Sequence, residues 1–372
     1  MKMKRVVIIT NQPSPYRVDF FYYLQRKYAG DYEFHIVFAS DNGKTIRVWS
    51  SDIEKLKNIH FLKSKVFSFK KQLDIHEVII TYGIREVLYQ ISPCVVVCAE
   101  YNYTAISAKF WCNTKNIPYI SWSDGTRFSE RNIGLWQKIS RKYIIRKSAA
   151  FIASSSKTKE NQIYLGADPD RIYLSELTID VDKYIHCGEK YNPDGGLVFV
   201  GSLIKRKGLD LLFEALALIG EREWKLVVIG CGEEEKPLKN LAVELGIDDK
   251  VVFRGFIENE ELIKAYENSS LFILPTREDC FGLVTLEAMC CGLPVISSKY
   301  ADGSYDLIEE GVNGYIIDPY DRIGFSEAIT NMLSDKEKMA EMGRKGREKS
   351  RDFSFINTSV GFVEAIERCL QY

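Results

Sequence analysis

A chain of 372 residues favours two domains over one, and 46% hydrophobic with 27% charged residues excludes a mainly disordered chain. No apolar run approaches the ~20 residues of a membrane span. The net charge of −1 conceals an asymmetry, with residues 1–190 holding 29 Lys+Arg against 19 Asp+Glu and residues 191–372 holding 21 against 32, a net of +10 and −11. Such a split suggests that the first half meets an anionic partner: a nucleic acid, a membrane surface or a phosphorylated substrate. Two oppositely charged solvated faces are the plain alternative.

The start is basic at residues 1–5, but the apolar stretch 6–10 is too short for a signal-peptide core of about 7–15 residues. Nine scattered cysteines, none in Cys-x-x-Cys, do not form a disulfide framework, and Cys290 and Cys291 sit in an apolar run that reads as core. Four scattered histidines argue against structural zinc. A cytoplasmic location follows from these features as an expectation.

In chain order, residues 6–10 form a continuous β-branched run, the pattern of a parallel strand buried on both faces. A loop with two prolines follows, then a helix over 18–28, a strand over 34–39, a helix over 78–90 and a strand over 94–99. A helix over 103–114 and a strand over 118–123 continue the alternation, which predicts right-handed βαβ units and a parallel sheet. Asn192, Pro193, Asp194, Gly195 and Gly196 make a linker cluster. Beyond it, strands at 197–200, 224–229, 251–253, 271–274 and 295–297 alternate with helices at 208–219, 233–245, 258–268 and 283–291. Gly292 and Pro294 supply a standard helix stop. The predicted class is α/β, with domains at 1–186 and 187–354 and a terminal helix from 355 within 355–372.

In open parallel α/β sheets ligands bind beyond the carboxyl ends of the strands, so two facing Rossmann-like domains predict a cleft. The sharpest cluster on the second domain's rim runs from Pro275 to Ala288. A strand stops at Pro275, Glu278 and Asp279 lie in the loop, and Gly282 opens a helix whose amides and dipole suit a phosphate. Glu287, a turn into that helix, is placed to accept hydrogen bonds from a sugar diol. A capped helix start with a surface glutamate is the bland alternative. A second loop after the strand 197–200 sets Lys205, Arg206 and Lys207 between Gly201 and Gly208, which suits a diphosphate.

These blocks, with residues 228–232 and 253–256 and the stretch 288–296, resemble in order and spacing the retaining glycosyltransferase family 4, also called group 1 glycosyl transferases, of GT-B fold. The resemblance is strong over about 197–320 and weaker in the first half. It implies two facing Rossmann-like domains with the terminal helix of 355–372 packing back on the first, a nucleotide-sugar donor on the second, with a UDP-sugar favoured over a GDP-sugar, and a hydroxyl acceptor on the first. The acceptor is expected to be a glycan or lipid-linked glycan of bacterial surface polysaccharide synthesis. The family pattern of two acids with seven residues between them falls on Asp279 and Glu287, with Asp279 in place of the usual glutamate. By the same resemblance Phe281, Gly282, Leu283 and Val284 meet the sugar and phosphates, and Gly201, Gly230 and Phe256 line the donor. Lys207 matches the diphosphate lysine. Ser202 stands where an arginine is usual, leaving Lys205 or Arg206 to supply that charge. In the first half, residues 11–17 replace a glycine-rich loop, putting Tyr16 and Arg17 on the acceptor side. Asp124 occupies the position of a usual histidine, where an Asp-Gly turn is the alternative. Asp279, Lys207 and Asp124 are the expected catalytic residues.

No cofactor or metal is expected. Asp168-Pro169-Asp170 and Asp180-Val181-Asp182 match the Asp-x-Asp of another transferase fold but sit in a turn and near the hinge. A sugar-nucleotide epimerase or hydrolase and a non-catalytic binding subunit remain the alternatives. No nucleic-acid recognition motif is visible. Lys63, Lys65, Lys70 and Lys71 interleaved with Phe61, Phe67 and Phe69, and Lys138, Arg141, Lys142, Arg146 and Lys147 beside Trp136 and Tyr143, point to peripheral contact with the inner face of the cytoplasmic membrane.

Overall fold

The computed structural model describes residues 3–40, 52–70, 73, 75–187, 191–220 and 223–371. Lys71 and the side chain of Lys70 lie outside the described set. Two compact units emerge, one from residues 1–70, 75–180 and 355–372, the other containing residues 181–354. The chain passes from one to the other at Asp180, six residues before the sequence-derived boundary at 186.

In the first unit the strands are β1 (Lys4–Thr10), β2 (Tyr32–Phe38), β3 (Ile59–Phe61), β4 (Lys63–Lys70), β5 (Ile75–Tyr82), β6 (Val95–Ala99), β7 (Tyr119–Ser123), β8 (Ala150–Ala153) and β9 (Ile172–Leu174). Its helices before the crossing are α1 (Pro15–Lys27), α2 (Ile84–Ile91), α3 (Tyr103–Lys115), α4 (Leu135–Arg146) and α5 (Ser156–Tyr164). Seven strands form one sheet in the order β3-β2-β1-β6-β7-β8-β9, and every pairing is parallel. Val6 to Ile9 are at most 1% exposed because helices cover both faces of the sheet, which is why the strand reads as unbroken apolar sequence.

The second unit contains α6 (Val181–Cys187), β10 (Gly196–Val200), α7 (Leu209–Ala217), β11 (Leu226–Ile229), α8 (Glu235–Glu244), β12 (Val251–Gly255), α9 (Asn259–Glu267) and β13 (Ser269–Leu274). Then come α10 (Leu283–Cys290), β14 (Val295–Ser298), α11 (Ser304–Leu307), β15 (Gly314–Ile317), α12 (Arg322–Leu333) and α13 (Lys336–Ser350). Its six-stranded parallel sheet runs β12-β11-β10-β13-β14-β15. Cys290 and Cys291 are buried under it. The last helix, α14 (Phe355–Leu370), belongs to the first unit, where it packs on β8, β9 and α1. Its Phe362 is fully buried, edge-on to Phe20 and to Trp122 at 5.6 and 5.3 Å between ring centroids.

One predicted element is wrong in kind. Residues 78–90 are not one helix: 75–82 form β5, antiparallel to β4, and the helix α2 begins only at Ile84. Val78, Ile79, Ile80 and Thr81 are β-branched and pair with Val66 to Ser64 and their neighbours in β4. Gly83, at φ +89°, turns the chain between the two elements.

Candidate functional site

In the second unit the predicted donor residues gather where β10 and β13 end. The turn after β10 carries Lys205, Arg206 and Lys207 in one 3₁₀ turn, closed by Gly208 at φ +71°. A Cβ there would stand 2.1 Å from the Pro275 carbonyl oxygen, so only glycine lets this loop lie against the end of β13. Two hydrogen bonds lock the loops together: Arg277 N donates to the Arg206 carbonyl at 2.7 Å, and the Thr276 side-chain hydroxyl donates to the same oxygen at 3.0 Å.

That contact delivers Lys207 to Asp279, with Nζ 2.5 Å from Oδ2. The other carboxylate oxygen accepts from the amides of Phe281 and Gly282 at 3.2 and 3.1 Å. Burial alone would raise the Asp279 carboxyl, but Lys207 and then Arg206 outweigh it and hold it at about 2. Both oxygens of Asp279 are therefore engaged by the protein, and the amide expected from Gly282 is turned toward Asp279. Leu283 and Val284 open α10, where a first-turn amide has no helical acceptor. Phe281 is buried with its ring against Phe353, so only its backbone faces the loop's polar side.

The cations in this turn do different things. Lys205 pairs with Asp210 at 2.6 Å, which Arg277 also grips with two nitrogens at 2.7 and 2.8 Å. Arg206 donates to the Glu278 carbonyl at 2.8 Å and lies 4.0 Å from Asp279. Arg206, not Lys205, is the second cation beside Lys207. Ser202 is exposed after β10, Gly201 and Gly230 close β10 and β11, and Phe256 stands 78% exposed past β12.

Glu287 accepts from the Tyr266 hydroxyl at 2.9 Å. Burial pushes its carboxyl up to about 7 against the hydrogen bonds from Tyr266 and Tyr184. The sequence reading missed both tyrosines, which lie on α9 and α6 and reach Glu287 only through the fold.

In the first unit, Arg17 and Asp124 meet. Their side chains pair at 2.6 Å across 107 residues of sequence, and the Ser154 hydroxyl donates to the other oxygen of Asp124. Arg17 is 5% exposed, lies 3.8 Å over the Trp122 ring, and has one guanidinium nitrogen without an acceptor among the described residues. Tyr16 and Arg17 line a depression with Trp122 and residues 175–178. Glu100 completes this group and was missed. It follows β6, holds φ +70°, a conformation that costs a non-glycine residue roughly 1–3 kcal/mol, and donates its amide to the Trp122 carbonyl at 3.0 Å. Burial, then the Asp124 charge, raise its carboxyl to about 7 against the pull of Arg17. An acid just past a buried strand was the signal available for it.

The two Asp-x-Asp sequences have local roles in part. Asp168 accepts from the Asp170 amide and pairs with Arg171, both at 3.1 Å, while Val181 and Asp182 open α6. Among the described residues no three His, Cys, Asp or Glu side chains group as metal ligands, and no helix is long and apolar enough to cross a membrane.

Comparison with known proteins bears on this arrangement. The family model for glycosyl transferases group 1 matches residues 183–349. D-inositol 3-phosphate glycosyltransferase of Corynebacterium efficiens is 31% identical over 212 residues, covering 52% of this chain and 50% of that protein. The chain spans about half the length of the first curated relatives it matches. Among solved structures, Anabaena Alr3699/HepE in complex with UDP superposes with a TM-score of 0.77 at 16% identity, over 98% of this chain and 100% of that one. The lipopolysaccharide outer core galactosyltransferase WaaB, in its apo form, gives 0.74 at 19% identity over 97% and 99%. The two parallel Rossmann-like sheets are thus those of the GT-B fold, and residues 183–349 match the family model for glycosyl transferases group 1.

Proposed function

We propose that the protein is a retaining glycosyltransferase that moves a sugar from a nucleotide-sugar donor to a hydroxyl acceptor. The observation that carries this reading is the Lys207–Asp279 pair at the start of α10, inside the matched family segment. Lys207 and Arg206 place two positive charges beside a helix N-terminus, where the charge of a departing diphosphate develops. Asp279 holds Lys207 in place and fixes the turn that aims the amides of Leu283 and Val284. Glu287 is placed to accept from the ribose hydroxyls, a task that favours its ionised form. In the first unit Asp124, oriented by Arg17 and Ser154, receives the acceptor hydroxyl, with Tyr16 beside it. No general base is assigned, since the leaving phosphate itself can take the proton in a same-face displacement.

The finer reading is a UDP-sugar donor and a lipid-linked glycan acceptor in bacterial surface polysaccharide synthesis, with the protein working at the inner face of the cytoplasmic membrane. UDP in the Anabaena structure, the lipopolysaccharide role of WaaB and the positive first half of the chain support it. Incubation with a panel of UDP- and GDP-sugars, with and without glycan acceptors, tests the reading. A product with the donor's anomeric configuration, formed only with acceptor present, is expected. Acceptor-independent hydrolysis or epimerisation of the donor would replace this reading with a sugar-nucleotide epimerase or hydrolase.

A further inference from the structure

Three helices of the first unit lie side by side, α2 on α3 and α3 on α4. The outer side of α4 is unusual. Leu135, Trp136 and Ile139 point away from the core, with Trp136 82% and Leu135 71% exposed, while Arg141, Ile144 and Ile145 face inward. A tryptophan so exposed on a regular helix buries nothing within its own unit. The adjoining helices extend the apolar strip: Tyr103 and Phe110, seven residues apart on α3, are both exposed, as is Tyr89 on α2. Asn113 on α3 donates to the Tyr143 hydroxyl on α4 at 3.4 Å, joining the two rows.

Apart from the exposed Glu86 on α2, charge on this surface has one sign. Neither α3 nor α4 contains an acidic residue. The two acids between residues 101 and 147, Asp124 and Glu130, are paired with Arg17 and Arg141. Lys138, Lys142 and Arg146 are exposed along α4, and Arg85 and Lys115 lie 5.0 and 5.7 Å over the rings of Phe110 and Tyr89. Aromatic rings with cations alongside, on a face where the cations outnumber the single exposed carboxylate Glu86, have the composition of a surface that rests at the headgroup level of a bilayer. A second copy of this chain would set positive charge against positive charge. An acidic bilayer offers the opposite sign together with an apolar layer for Trp136 and Leu135.

We propose that the outer face of α2, α3 and α4 docks on an anionic lipid bilayer, with Trp136, Leu135 and Ile139 of α4 entering the interface and Lys138 and Lys142 meeting acidic headgroups. This deepens the lipid-linked acceptor proposed above and rests on it for its biological sense, while the surface is argued from its own residues. The face differs from the residues 61–71 cluster, which the sequence also singled out and whose Phe67 and Phe69 are exposed on β4.

The test is sedimentation of the full chain with vesicles of phosphatidylcholine alone or mixed with phosphatidylglycerol, at low and high salt. Binding is expected only with phosphatidylglycerol and only at low salt. The double substitution Lys138→Ser with Lys142→Ser should weaken it roughly thirtyfold, taking about a fivefold loss per surface cation. Trp136→Ser with Leu135→Ser should also release the protein, and both pairs change exposed side chains that no part of the core needs. Equal binding to phosphatidylcholine alone, unchanged binding by both double variants, or a dimer that Trp136→Ser dissolves would each overturn the proposal. Thermal stabilisation by nucleotide sugars is read on the same samples. If vesicle binding fails while that stabilisation persists, the docking face is wrong and the transferase reading stands. If stabilisation fails as well, the transferase reading falls separately.

Discussion

Lys207 and Asp279 form an ion pair whose members keep only 14% and 17% of their side-chain exposure, so each fixes the other's position. Replacing Lys207 with alanine is expected to lower the transfer rate about 10²–10³-fold, the scale for removing one preorganised charge from a developing anion. The fold should persist, as circular dichroism would check, and a rate within threefold of wild type would remove Lys207 from the site. Because the Asp279 carboxyl sits at about 2, below its ordinary range, the pair's stabilisation is present above about pH 4 and lost as pH falls toward 2. Glu100 has the opposite sign. Its folded-state carboxyl lies at about 7, so the folded chain binds the extra proton between about pH 4 and 7 and loses stability as pH rises through that window. Glu100→Gln should therefore match wild type in the unfolding free energy from urea titration near pH 4 and exceed it at pH 8, by about 1–3 kcal/mol. A difference independent of pH would mean that Glu100 ionises freely.

At the scale of elements, α14 is the support on which the first unit's site rests. Phe362 packs edge-on against Trp122, whose ring also carries Arg17 at 3.8 Å. Phe362→Ala is expected to cost about 3–5 kcal/mol and lower the melting midpoint of the first unit by about 6–20 °C. A calorimetric trace with unchanged midpoints would show that α14 contributes little. The loops of the candidate donor site were legible in the sequence because glycine and proline punctuate them: Pro275 stops β13, Gly282 opens α10 at φ +81°, and Gly208 closes the basic turn. The β4–β5 hairpin was not, since its β-branched strand runs into helix formers with Gly83 as the single break. The meeting of Arg17, Asp124 and Glu100 was legible only residue by residue. It depends on β1, β6 and β7 being neighbours in the sheet, an order that local periodicity does not encode.

For the whole molecule, two parallel sheets could be expected from the alternation of strands and helices. Membership of the terminal helix in the first unit came from resemblance, because an amphipathic helix alone does not say which sheet it will cover. In the proposed mechanism Lys207, Arg206 and the first amides of α10 supply the positive charge that a leaving diphosphate needs. Transfer is therefore expected to survive excess chelator, and activity lost to chelator and restored by magnesium or manganese would contradict that role. Whether this is a nucleotide-sugar enzyme at all is decided most directly by thermal melting of wild type and Lys207→Ala against a panel of nucleotide sugars. A bound donor stabilises the folded chain by about 2.7 kcal/mol at a hundred times its Kd. The predicted result is a midpoint that climbs with the concentration of one UDP-sugar in wild type and barely moves in Lys207→Ala. No shift with any nucleotide sugar, or an equal shift in both proteins, would contradict it.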